Sequence, residues 1–446
     1  MKKIAIIGSG ISGLVCAHRL QHVYAIDIFE AAPRPGGHTH TVNIDDEREG
    51  PLAVDTGFIV FNDRTYPAFT NLLHSLGIGR QPTSMSFSVQ CERTGLEYNG
   101  TSLNTLFAQR RNLVRPSFLR MIHGILRFNK AAKAFLADEP DDITFGAFIR
   151  RSRLNSEVVQ HYLIPMCAAV WSADPKAVLK FPALFLLRFW QNHGFLEIND
   201  RPQWYVVPGG SHTYVSKILD PLADRLHLSS PVTGVRRETA RDRVRLTVEG
   251  RGELLYDGVI FAVHSDQALR LLQDPTDHER RCLGAIPYQK NEVILHTDAG
   301  SLPRSDLARA AWNYFLPAEP GQRATVTYNM NILQNLPGRT LYNVTLNSTR
   351  PVPPATILRR MTYHHPVFTP AGMTAQEELQ QSQGIANTWF CGAWMKNGFH
   401  EDGVVSALRV CQDIGVTPWN DQPSTKGASA ITASPQGRTD SPMVSS

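Results

Sequence analysis

The sequence predicts an α/β protein organised on a parallel sheet, and three observations near its start predict it. Lys2-Lys3-Ile4-Ala5-Ile6-Ile7 is a short apolar run of the kind a parallel strand buries on both faces. Gly8-Ser9-Gly10-Ile11-Ser12-Gly13 follows at once, and Leu14 to Leu20 continues it as a helix. Ala25-Ile26-Asp27-Ile28-Phe29-Glu30 is a second apolar run that ends in a carboxylate.

Each residue type in this unit has a physical task. Gly8 makes the tight turn from strand to helix, Gly10 admits a pyrophosphate to the backbone, and Gly13 lets helix and strand lie close. The free N–H groups at the helix start attract phosphate, and the helix dipole adds to them. Glu30 stands at the spacing that suits the hydroxyls of an adenosine ribose. A cleaved signal peptide is not expected, because glycines and serines break the apolar stretch and no small-residue cleavage site follows it.

The rest of the composition sets limits. A chain of 446 residues can bury a large core and suggests two or three domains. Its charged fraction of 19% and hydrophobic fraction of 42% are those of an ordinary globular protein. Cysteines 16, 91, 167, 282, 391 and 411 form no CxxC pair and read as buried thiols of a reducing, cytoplasmic setting. No apolar run is long enough to span a bilayer. The formal charge of +5 is modest, no zinc spacing occurs, and no motif supports a nucleic-acid partner. His364-His365 has no third ligand at metal spacing, so no metal site is expected.

Along the chain, Arg34-Pro35-Gly36-Gly37-His38-Thr39 marks a loop whose backbone must approach something closely. Val54-Asp55-Thr56-Gly57 ends a strand. Residues 62–204 read mainly as helices, with one over Thr65 to Leu76 and a longer stretch from Thr105 to Ala137 divided at Pro116. Phe181 to Trp190, ending in Asn192-His193-Gly194, reads either as helix core or as a pocket wall. A helix over Thr213 to Leu226 precedes strands at Leu226–Leu228, Pro231–Val235, Val244–Val248 and Gly258–Ala262. Residues 266–385 alternate helix and strand signals, and Val404 to Val410 reads as a helix capped by Asp402. Beyond Pro418 the chain is rich in Ser, Thr, Pro and Gly and is expected to be disordered.

Ile4 to Glu30, the Gly36-Gly37 loop, Asp55-Thr56-Gly57 and the Phe390-Cys391-Gly392 to Gly403 segment together resemble the flavin-containing amine oxidase and phytoene-desaturase superfamily. A closer resemblance is to bacterial FAD/NAD-binding proteins often encoded beside cyclopropane-fatty-acid synthases. It rests on Asp55 to Asn62, Gln109 to Leu113, Asn192-His193-Gly194 and Gly398 to Gly403. The resemblance covers about residues 1–415 and implies a Rossmann-like FAD-binding domain with a discontinuous α+β substrate domain. Residues 1–61, 205–265 and 386–415 would build the first, residues 62–204 and 266–385 the second, and 416–446 a tail. It implies non-covalent FAD held by Gly8, Gly10, Ile11, Ser12, Gly13, Glu30, Ala31, Gly36, Gly37, His38, Thr39, Asp55, Thr56, Gly57, Val232, Gly392, Asp402, Gly403 and Val404. One departure is Ala393-Trp394, where many relatives place an acidic residue after the glycine.

Only one complete GxGxxG occurs, which favours electrons passing from an organic substrate to flavin over uptake from a nicotinamide. His38, His193 and His400 are the candidate acid–base residues because they fall in glycine-rich loops near the cofactor segments. Glu401 and Asp402 would oppose negative charge on a reduced ring unless they turn away or cap the helix. Three functions fit: hydride removal from a hydrophobic substrate such as a fatty-acyl lipid, oxidation of a small amine, or a flavin-bound, non-catalytic partner of a lipid-modifying enzyme. Tyr98 to Ala137 contains seven Lys/Arg and no carboxylate, interleaved with Phe, Leu and Ile. This stretch is expected to meet an anionic membrane surface peripherally, on the cytoplasmic side.

Overall fold

The computed structural model describes residues 1–138, 143–171, 175–197, 201–319 and 325–416. Apart from Val416, the expected tail lies outside the described residues. The apolar runs form a five-stranded, all-parallel sheet, in the order Leu226–His227, Ala25–Phe29, Lys3–Ile7, Gly258–Phe261, Thr388–Phe390. Strand alternation divides its faces. Ile4 and Ile6 point into the core shared with Leu14 and Val15 of the Ile11–Leu20 helix. Ala5 and Ile7 point to the other side, where Val235, Val244 and Leu246 of an antiparallel three-stranded sheet cover them. The Ile11–Leu20 helix packs along the His400–Asp413 helix, so both helix starts arrive at the same end of the sheet.

A seven-stranded mixed sheet stands beside this unit, in the order Ile357–Pro366, Tyr288–His296, Asn343–Leu346, Thr325–Asn329, Trp312–Leu316, Phe87–Cys91, Leu96–Asn99. Residues 62–204 are therefore less helical than expected. They supply the last two strands and also Gln81–Thr83, which pairs with Trp204–Val206. Phe87–Cys91 pairs antiparallel with Leu96–Asn99 across a short turn and parallel with the distant Trp312–Leu316, and the first of these pairings is local. The strand Gly252–Tyr256 is a further addition, paired with Arg243–Val248.

The helical layer has its own aromatic core. The Pro116–Ala137 helix opens with proline, whose missing N–H costs nothing at that position. It buries Phe118, Met121, Gly124, Phe128, Ala132 and Phe135 at helical spacing against Phe145, Phe148 and Trp190. Downstream, Pro165 has no N–H to offer the carbonyl of His161, four residues back, and the Tyr98 hydroxyl donates to that carbonyl at 2.7 Å. The turn before it, Val159–Leu163, is a π segment, a local widening of the helix.

Two expected helices start or stop elsewhere. Thr213 to Leu226 is a shorter helix, His212–Leu219, followed by the 3₁₀ turns Asp220–Arg225, because Pro221 cannot continue the α hydrogen bonding. The last helix begins at His400 and not at Val404. Asp402 consequently lies in its first turn, and its carboxylate accepts the Phe399 N–H at 2.9 Å from there.

Candidate active site

The turn from the first strand to the first helix is built by close approach. Gly8 has φ +99°, and a Cβ there would lie 2.6 Å from the Ala262 carbonyl oxygen. A Cβ on Gly13 would lie 2.0 Å from the carbonyl oxygen of Gly8, so strand, turn and helix touch with no room for a side chain. Gly10 is different: nothing lies within 4 Å of the position its Cβ would take. It faces a cavity of about 790 Å³, within the size range of small-molecule sites.

The cavity runs from this turn, past Gly37 and His38, to a chamber of aromatic side chains. Of the residues expected to meet a cofactor, Gly8, Gly10, Ile11, Ser12, Glu30, Ala31, Gly37, His38, Gly57, Val232 and Gly392 line it. Gly13, Gly36, Thr39, Asp55, Thr56, Asp402, Gly403 and Val404 stand behind the wall and hold it in place. Gly36 N–H donates to the Ser9 carbonyl at 3.0 Å. Asp55 is buried and accepts Ser211 N–H at 2.9 Å, Ser211 Oγ at 2.7 Å and Thr41 Oγ1 at 2.6 Å. Thr56 Oγ1 donates to the His40 carbonyl at 2.9 Å. Ser12 Oγ donates to the Gly403 carbonyl at 2.9 Å and so ties the two helix starts together. Val404 is core.

The residues present fit a dinucleotide. Glu30 is fixed on both oxygens, accepting Ser9 N–H at 3.0 Å, Ser9 Oγ at 2.6 Å and Ala32 N–H at 2.9 Å, and it still lines the cavity. Arg34 and Arg270 are the two cationic side chains among the described wall residues and suit a diphosphate. His38 Nε2 is buried without a hydrogen-bond partner, a polar atom aimed where a cofactor would sit.

All three candidate histidines line the cavity, and burial holds each of them neutral. It pushes His193 down to about 4 and His400 down to about 3. His38 lies well below the usual range, lowered by burial and then by His365 and His264. His193 Nδ1–H donates to the Phe189 carbonyl at 2.9 Å, which leaves Nε2 as an acceptor. His400 stacks on Phe58 at 3.7 Å between ring centres, and its Nε2 meets the Tyr214 hydroxyl at 2.7 Å. Tyr214 in turn bonds Thr39 Oγ1, so Thr39 acts on the cavity through two other side chains.

Glu401 turns away and Asp402 caps the helix, so both of the arrangements the sequence left open occur. Glu401 accepts the N–H groups of Ala68 and Phe69 at 2.9 and 2.8 Å, at the start of the Pro67–Ser75 helix. Glu30 is therefore the only carboxylate among the described lining residues. Trp394, in the departure noted after Gly392, is buried and donates its indole N–H to the Val263 carbonyl at 2.9 Å.

The helix Ala183–Asn192 resolves the alternative posed for its sequence by doing both tasks. Leu186, Leu187 and Trp190 are core, while Phe189 and then His193 face the cavity. Sequence reasoning missed His264, His365, Trp312 and Tyr328, which also line it. The His38 ring lies 5.5 Å from His365 and 6.3 Å from His264, between ring centres, across strands and loops from three parts of the chain. Away from the cavity, His278, Cys282 and Glu378 bring possible ligand atoms within 4.8 Å of one another. The Arg281 guanidinium already supplies a cation there, 3.0 Å from both His278 Nδ1 and Glu378 Oε2.

Comparison with known proteins agrees with this geometry. The family described as flavin containing amine oxidoreductase matches residues 11–302. Mitochondrial protoporphyrinogen oxidase of Nicotiana tabacum is 26% identical over 201 residues, 42% of this chain and 36% of that protein, so the match spans about a third of that relative. The solved structure of the CLA-producing fatty acid isomerase from P. acnes matches with TM-score 0.67 and 15% identity, over 93% of this chain and 99% of that one. Cyclohexylamine oxidase from Brevibacterium oxydans IH-35A matches with TM-score 0.63 and 15% identity, over 93% and 99%. At these identities the two structures establish a shared fold alone. The chain belongs to the flavin-containing amine oxidoreductase family and is an FAD-dependent oxidoreductase.

Proposed function

We propose that the enzyme removes hydride from a hydrophobic organic substrate, a fatty-acyl lipid above all, bound in the aromatic chamber of the cavity. Bound FAD supplies the hydride acceptor. Its diphosphate would be held at the Gly8–Gly13 turn with Arg34 and Arg270, and its ribose by Glu30. Residues 1–61, 205–265 and 386–415 are proposed as the FAD domain, since strands from all three pair in one parallel sheet.

The observation that carries this reading is the absence of any carboxylate in the described wall of the chamber. Phe58, Trp171, Phe189, Trp204, Trp312 and Phe399 dominate that wall. A cationic amine would find no counter-charge there. The aromatics also touch one another, with Phe189 and Phe399 stacked at 4.8 Å and Trp312 on Tyr328 at 5.0 Å, and so leave no open cage for an ammonium group. His193 and His400, neutral and fixed by hydrogen bonds, offer weakly basic nitrogens that suit an uncharged substrate. The wall excludes water and presents an alkyl chain with dispersion contacts.

The enzyme is further proposed to reach such a substrate by peripheral contact with an anionic membrane through residues 98–137. No helix among the described residues is long and apolar enough to cross a bilayer. The test is anaerobic titration of the yellow holoenzyme with an oleoyl lipid, with cyclohexylamine and with putrescine. Bleaching of the flavin band by the lipid alone is expected. Bleaching by an amine alone replaces this reading with amine oxidation, and bleaching by none of them favours a non-catalytic partner.

A further inference from the structure

A second cavity, of about 280 Å³, lies behind the aromatic wall. Met85, His193, Phe195, Trp204 and Trp312 line both cavities, so a single layer of side chains separates them. The inner part of the second cavity is apolar, with Phe87, Tyr162 and Met166. Its rim is formed by Gly100 and Thr101 on one side and by Arg201 and Gln203 on the other, all of them exposed. Arg201 is the only charged side chain among the described lining residues. Among the described residues its hydrogen bond is a long one, Nε to the Glu197 carbonyl at 3.4 Å, which leaves the guanidinium fork open to an anion.

The rim also adjoins the acid-free surface. Leu103, 76% exposed, follows Thr101 by two residues. Arg110 binds Asn104 Oδ1 at 2.6 Å and so fixes the basic turn Arg110–Val114 beside the short helix Leu103–Leu106.

We infer that the second cavity is the port through which an acyl chain enters from that surface, with Arg201 binding the anionic head while the chain passes Trp204 and Trp312 toward the flavin cavity. This inference rests on the acyl-lipid reading. A cavity that is apolar inside and carries one arginine at its mouth matches an amphiphile with a single anionic group. The chemistry on the head side is shared by a free carboxylate and a phosphodiester.

The experiment uses holoenzyme and follows tryptophan fluorescence and the flavin spectrum during titration with oleate, with monoacyl phosphatidylglycerol and with uncharged methyl oleate. Arg201→Gln should weaken the two anionic probes by about tenfold or more, the cost of one charge-assisted contact. It should leave methyl oleate and the bound FAD unchanged. A loss confined to oleate identifies a free fatty acid, and a loss confined to the monoacyl lipid identifies a phospholipid. Thr101→Trp, which narrows the rim without touching the flavin cavity, should slow the association of all three probes. Equal affinity of wild type and Arg201→Gln for both anionic probes overturns the port while leaving the acyl-lipid reading intact. If no long-chain probe binds or bleaches the wild-type enzyme, the acyl-lipid reading itself falls.

Discussion

Glu30 is tied into the fold and is proposed to hold the cofactor as well. Its carboxylate closes the Ser9 turn and the Ala32 backbone while facing the cavity. Glu30→Ala should therefore weaken FAD by more than tenfold, about the worth of a charge-assisted hydrogen bond, and weaken riboflavin far less. Fluorescence titration of both ligands checks this, and equal losses would mean that the substitution merely disorders the turn. The buried histidines make a second, collective prediction. Burial lowers His40, His193, His264 and His365 to about 4 and His400 to about 3. Unfolded histidine titrates near 6.5, so between these values the unfolded chain binds more protons, and stability falls as pH drops. Asp55 and Asp402, raised to about 6 by burial, act in the opposite sense, because their folded forms bind the extra proton. A tenfold change in proton affinity is worth about 1.4 kcal/mol, and the lowered histidines, with His296 as a sixth, outweigh the raised carboxylates, to which Glu401 belongs as well. The urea midpoint of the enzyme should fall from pH 7 to pH 5, and a flat or rising midpoint contradicts the assignment.

At the scale of elements, legibility followed the range of the interactions that shape each piece. The Lys3–Ile7 strand, its glycine turn, the Ile11–Leu20 helix and Glu30 form one contiguous unit whose chemistry is local, and they could be read directly. So could the positions of His193 and His400, because Gly194 follows the first and Gly398 and Gly403 flank the second. The Gln81–Thr83 and Phe87–Cys91 strands were missed for different reasons. Gln81–Thr83 is stabilised by a partner far along the chain and carries no alternation, whereas Phe87–Cys91 alternates apolar and polar residues and pairs with Leu96–Asn99 across a short turn at Gly95, a local hairpin signal that the helical reading of this region passed over. Distance along the chain also hid His264, His365 and Trp312, which reach the cavity only after the sheets assemble. Residues such as Asp55 and Thr56 were legible as important but not in their task. Whether a polar side chain faces a cavity or supports its wall depends on packing that spacing does not encode. The first turn of the last helix was misread for a related reason. Gly403 looks like a helix start, yet its carbonyl and its lack of a side chain serve contact with Ser12 and Ile11, three residues inside the helix.

At the scale of the whole molecule, the modest net charge conceals a concentrated surface. Eleven large hydrophobic side chains stand exposed among the described residues, and five of them, Leu103, Leu113, Val114, Leu119 and Leu126, lie within the acid-free stretch. Val114 is 82% exposed, beside Arg115. Two of the seven basic residues there pair with carboxylates, Arg120 with Glu157 at 2.5 Å and Lys133 with Glu197 at 2.6 Å. Arg110 and Arg111 bind uncharged oxygens of Asn104, Phe107 and Gly95, and Arg115 binds Ser117 Oγ, so their charge stays available. An ordinary solvated helix face would show the arginines but not the exposed leucines and valine among them. A surface that inserts apolar side chains between anionic headgroups needs both. Each basic side chain at such a surface contributes about 1 kcal/mol, so reversing Arg110, Arg111 and Arg115 to Glu should lower vesicle binding by about a hundredfold or more. The comparison is sedimentation with phosphatidylglycerol vesicles at low salt, with bound FAD as the control for folding. Raised salt should weaken wild-type binding, because the charges act within a Debye length. Leu113→Ser with Val114→Ser should weaken it at every salt concentration, since apolar burial is not screened. If the wild type stays in the supernatant, or if the triple reversal sediments with it equally, the enzyme meets its substrate in solution, and the apolar side chains of this face need another partner.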